Sequence, residues 1–107
     1  METVHILINH DIDAYMSMLE RASSDRERVL YGDLLRDAAG RLSGEDRRNE
    51  TIARCLRSCR ERIERQAHLM HSLSALGADM VSAKLHMDNL RLIEKTLLEG
   101  DGGRRAA

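Results

Sequence analysis

The sequence predicts an all-α protein, an up-and-down four-helix bundle, and three observations carry that reading. There is no proline in 107 residues, and 33 % of them are charged. Phe and Trp are absent, so Tyr15 and Tyr31 supply the only rings and the core must come from Leu, Ile, Met, Val and Ala. Between Glu50 and Glu99 the apolar residues return at helical spacing: Ile52, Leu56, Cys59, Ile63, Met70 and Leu73, then Met80, Ala83, Met87, Leu90 and Leu97. A β protein of this length would spend Pro and Gly on many turns. The length suits one domain with a small core.

The first helix is predicted over 3–22, where Val4, Ile8, Ile12, Tyr15, Leu19 and Ala22 form a stripe in steps of three and four. Thr3 to Ile8 is rich in β-formers, but no second strand exists for it to pair with, so helix is the assignment. Ser23 to Glu27 interrupts the stripe, and Ser24 followed three residues later by Glu27 has capping-box spacing. A second helix over 25–42 follows and buries Tyr31, Leu34, Leu35, Ala38 and Leu42. Gly32 inside it costs about 1 kcal/mol against Ala, which predicts a close approach by a neighbouring helix.

Ser43-Gly44-Glu45-Asp46 joins a breaker to a new start, with acidic residues suited to the positive end of a helix dipole. The third helix is predicted over 46–76 and the fourth over 79–99. Gly77-Ala78-Asp79 reads as a stop followed by a cap, whereas one bent helix through it would reach ~75 Å and demand a partner chain. On the third helix's outer face, Arg57 with Glu61 and Arg60 with Glu64 are spaced to pair for a few tenths of a kcal/mol each. Gly100 to Ala107 has nothing to bury and is expected to be a disordered tail, leaving 1–99 as the domain.

The formal charge of -1 gives no electrostatic case for nucleic acid or an anionic membrane. The arginines from Arg47 to Arg65 are interrupted by Glu50, Glu61 and Glu64, with no ring among them for base stacking. No apolar run approaches the ~18 to 20 residues that span a bilayer, and no export signal opens the chain, so a cytoplasmic location is expected. Cys55 and Cys59, four apart, share one side of a helix and are expected to be buried thiols. A phosphate loop, a nucleophile elbow, His-Glu-x-x-His and paired Cys-x-x-Cys are all missing, so no enzyme is expected.

Glu64, His68 and His71 stand at i, i+4 and i+7 and form the best local set of metal donors. Such a site needs a further ligand, for which His10, Glu45, His86 and Asp88 are available. His10 with Asp11 and Asp13 is a second grouping of donors on the first helix. The plainer reading of these histidines, half-exposed side chains hydrogen-bonded to water, is preferred, and no cofactor is expected.

Asn9-His10-Asp11-Ile12-Asp13, then Leu34-Leu35 through Arg41-Leu42 to Glu45-Asp46, then Ala67-His68 with Leu73 and Leu76, resembles a degraded hemerythrin-like (HHE) domain. The resemblance implies a four-helix bundle and, in intact members, two bound irons. His10, Glu45 and His68 stand at ligand positions of that pattern. Arg41 replaces a ligand His, Ser72 falls four after His68 with His71 one place early, and Arg91 stands five after His86 where an Asp belongs. An Arg there adds a fixed positive charge beside the metals, so the resemblance implies a relative whose di-iron centre is lost.

The functional expectation is a small helical bundle that acts by binding another protein, in a regulatory, adaptor or chaperone-like role and as a homodimer. Met80, Met87, Leu90 and Leu97 are its expected interface, since flexible thioethers suit adaptable contacts. The alternative is a metal- or oxygen-binding protein that uses iron.

Overall fold

In the computed structural model the chain forms four helices, α1 (Glu2–Glu20), α2 (Asp25–Gly40), α3 (Glu45–Ala75) and α4 (Val81–Ala106). The structure describes the backbone at 2–42 and 44–106 and side chains at 7–42 and 46–99. The helices run up, down, up and down, and no strand occurs among the described residues. No helix there is long and apolar enough to cross a membrane.

Helix α4 is the hub, because it packs directly on each of the other three. Its Leu90, Ile93 and Leu97 are each 1 % exposed. They meet Ile8, Ile12, Leu19 and Ala22 from the α1 segment, Leu35, Ala38 and Leu42 from the α2 segment, and Ile52, Cys55, Leu56 and Cys59 from α3. Burying each such side chain stabilises the fold by about 1.5–3 kcal/mol before entropy is counted. The cysteines are free and buried as expected, and the Cys59 thiol donates to the Leu90 carbonyl at 3.2 Å.

The caps follow from local chemistry. Ser24 Oγ accepts from the Glu27 amide at 3.1 Å, and the Glu27 carboxylate accepts from the Ser23 amide and hydroxyl, so the expected box forms with its return bond one residue early. At Gly77 the chain does break. Its φ of +69 lets the Ala78 amide reach the Leu73 carbonyl at 3.0 Å and the Gly77 amide reach Ser74 at 3.1 Å, the Schellman pattern of a helix end. Asp79 Oδ1 then accepts from the Val81 amide at 3.0 Å and starts α4.

Several expectations are corrected. Helix α1 ends at Glu20 and α2 at Gly40, each two residues short of the predicted span, because the last turn at each opens into 3₁₀-type bonds. Helix α4 starts two residues later and is drawn on through Gly100 to Ala106, beyond the expected stop at Glu99; a glycine only weakens a helix that is already nucleated. Arg60 reaches across to Glu94 on α4 at 3.1 Å in place of Glu64. Gly32 is buried, yet a Cβ there would meet nothing within 4 Å, so no close approach requires it.

The two glycines therefore make opposite predictions. Gly32→Ala should stabilise by about 0.5–1 kcal/mol, since it removes backbone freedom from the unfolded chain at a helical position with room. Gly77→Ala should destabilise by about 1–2 kcal/mol, since a Cβ is disfavoured at positive φ. Denaturant unfolding of both variants checks the pair, and two shifts of the same sign would contradict the assignment.

Candidate functional site

Helices α3 and α4 are much longer than α1 and α2, at 31 and 26 residues against 19 and 16. The register shows where the shorter pair runs out. Helix α1 runs parallel to α3, with Asp13 beside Arg54 at 3.5 Å and Glu20 bonded to Arg62. Beyond Arg62, α3 continues to Ala75 and α4 returns from Val81 without α1 beside them. This overhang is about 20 Å long at 1.5 Å per residue. No residue of the main core cluster comes from α3 beyond Cys59 or from α4 before Leu90.

A polar collar marks the step. Glu20, with its side chain 19 % exposed, binds Arg62 and faces His86 Nε2 at 3.0 Å. Asn89, 1 % exposed, donates to the Glu20 and Ala22 carbonyls at 3.2 and 2.8 Å. Those carbonyls are left over at the end of α1, so Asn89 supplies partners that the helix cannot. Gln66 likewise donates to the Ala83 carbonyl at 2.9 Å across the hairpin. Burial alone would raise the Glu20 pKa, but hydrogen bonds from Arg62 and His86, and their charges, hold the carboxyl below its ordinary 4.5.

Past the collar the surface changes character. Cys55, Arg62, Leu69 and Leu76 follow one another at seven-residue spacing and so lie on one stripe of α3. Helix α1 covers the first and pairs with the second. Leu69 is then 49 % and Leu76 81 % exposed, while Met70, Leu73 and Met80 in the hairpin seam are only half-buried. The eighteen residues from Gln66 to Ala83 hold one charged side chain, Asp79, in a chain that is 33 % charged. Two hollows of about 340 and 360 Å³ share Glu20 and His86 in their walls, and Leu69 and Arg65 line the second. A larger hollow, about 640 Å³, follows α3 past Asn49, Leu56, Arg57 and Glu64, and among the described residues all of its lining belongs to that one helix.

The residues singled out in the sequence fall in separate places. Met87, Leu90 and Leu97, expected on an interface, are 8, 1 and 1 % exposed inside the bundle; only Met80 lies on the overhang. The metal donors do not converge. His10, Glu64, His68 and His71 are all exposed, and the side chain of Glu45 lies outside the described residues. His10 sits near the level of Thr51 on α3, which puts His68 about 25 Å further along the bundle. Among the described residues no three His, Cys, Asp or Glu side chains are grouped to hold a metal ion. Glu20 and Arg62 carried no sequence signal of their collar role, whereas Asn89, a polar residue between Met87 and Leu90 on an apolar stripe, did.

Set beside known proteins, the chain matches no family model, no curated protein and no solved structure.

The collar makes a pH prediction. Because the native Glu20 pKa lies below its ordinary value, the stability from its ionised form is present above that value and is lost as pH falls through the depressed one. Between about pH 5 and about pH 3 the urea midpoint of the native protein should fall more steeply than that of Glu20→Gln, which cannot titrate there. Parallel curves would show that the carboxylate contributes nothing.

Proposed function

We propose that this chain acts by protein–protein interaction and that the α3–α4 overhang is the surface it uses. The observation that carries the reading is the bare continuation of the α3 stripe: Leu69 and Leu76 extend the face that α1 covers up to Arg62. An exposed apolar surface depleted of charge is the composition of an interface core, and helices in a groove are a recurring way to cover one. Chemistry is an unsupported alternative, since the polar groups of the collar are engaged in holding α1 to the hairpin. A regulatory or adaptor role fits a surface that binds and releases; such a role has no need of a reacting group.

A photoreactive residue at position 76 tests the reading, with the same residue at exposed position 26 as control. In an extract of the source cells, position 76 should give a discrete cross-linked species that Leu69→Ser removes while the helical content stays the same. No species at 76, or equal yields at 26 and 76, would end the proposal.

A further inference from the structure

Two hydrogen bonds fix the register of the α3–α4 hairpin. Cys59 Sγ donates to the Leu90 carbonyl and Gln66 Nε2 to the Ala83 carbonyl, so seven residues along α3 match seven back along α4. Four further along α3 and three further back on α4, the same faces bring Met70 opposite Met80, with Leu73 ending the stripe before the Gly77 turn. Burial falls along this seam. Cys59 and Leu90 are 1 % exposed, Ala83 and Met87 8 %, and Met70, Leu73 and Met80 only half-buried. Past the Gln66 amide, which is given to Ala83, the seam side chains Met70, Leu73 and Met80 carry no hydrogen-bond donor.

We infer that Met70 and Met80 form an oxidation site for hydroperoxides, and that their oxidation unzips the tip of the overhang. The thioether sulfur gives an electron pair to the outer oxygen of the peroxide. An S–O bond forms as the O–O bond breaks, and the remaining oxygen leaves with the proton as water or an alcohol. Sulfur is thereby oxidised by two electrons to the sulfoxide while the peroxide is reduced, and sulfoxide reductases reverse the change.

The new sulfoxide oxygen is an acceptor set into a seam without donors. Kept inside, it has no partner; swung out to water, it draws the side chain away from Leu73 and the opposite helix. Both routes loosen the turns between Met70 and Met80. The opening stops at the Gln66–Ala83 bond, below which Met87 is covered. Met18, 40 % exposed on α1, is the built-in comparison, because its sulfoxide projects into water and disturbs no seam. Leu69 and Leu76 ride on the loosened turns, so oxidation withdraws the face they form. That last step rests on the overhang being the binding surface proposed above, whereas the seam chemistry does not.

Hydrogen peroxide applied to the native full chain, followed by peptide mass mapping and amide hydrogen exchange, is the test. Met18, Met70 and Met80 should each gain one oxygen, with Met87 at least about tenfold slower. Amides from 70 to 83 should then exchange about tenfold faster or more, while those from 87 to 97 stay as they were. The double variant Met70→Leu, Met80→Leu nearly conserves volume; it should still oxidise at Met18 and show no such acceleration. Sulfoxide reductases of both epimer specificities should restore the slow exchange of the native protein. Met70 and Met80 reacting no faster than Met87, exchange over 70–83 unaltered by their oxidation, or equal acceleration in the double variant would each overturn the oxidation-driven opening. None of these readouts involves a partner, so a failed cross-link at position 76 leaves them standing, and their failure leaves the cross-link standing.

Discussion

Everything in this fold depends on the burial of α4 from three sides. A helix with one apolar stripe can satisfy one or two neighbours; α4 meets three because Leu90, Ile93 and Leu97 lie deep within the cluster while the Asn89 amide nitrogen and the Thr96 hydroxyl donate within the fold. Thr96 returns its hydroxyl to the Leu92 carbonyl at 2.8 Å, and Asn89 turns its amide to the end of α1. The shorter helices need not pack tightly on α3, because α4 holds them. Arg54 and Arg62 span the wider α1–α3 gap with long side chains.

The same arrangement divides the molecule into two regimes of stability. Where four helices overlap, side chains reach 0–3 % exposure; where only two remain, Met70, Leu73 and Met80 keep one side open. Local opening free energies follow buried apolar contacts, so the overhang stands at the low end of the scale and the Cys59–Leu90 level near the high end. Cys59 marks that level chemically, since burial pushes its thiol up to about 11.

The sequence made the helices legible and left their relative reach hidden. Ser24 with Glu27 and Gly77 with Asp79 are local signals, and both produced the ends they imply. Leu69 and Leu90 differ in how many helices reach them: α1 extends to the level of Leu90 and stops short of Leu69. That is why the expected interface at Met87, Leu90 and Leu97 turned out to be core, while Leu76 is the most exposed of the large apolar residues among those described. Histidine spacing was similarly local. It put Glu64, His68 and His71 on one helix but could not report that His10 lies far down the axis. Gly32 misled because its cost in a helix invites a packing reason, and the structure has open space there.

Neither α3 from Glu45 to Ala75 nor α4 from Val81 to Glu99 contains a glycine or proline, the residues at which helices most often kink. The overhang is thus a stiff spar, and its direction is decided at its root. Glu20, Arg62, His86 and Asn89 act there as the brace, tying the spar to the end of α1 through bonds on both α3 and α4. A few degrees of tilt at that brace becomes ångströms of travel at the Gly77 turn. The polar residues at its root, not the apolar ones along it, are what set the direction in which Leu69 and Leu76 face.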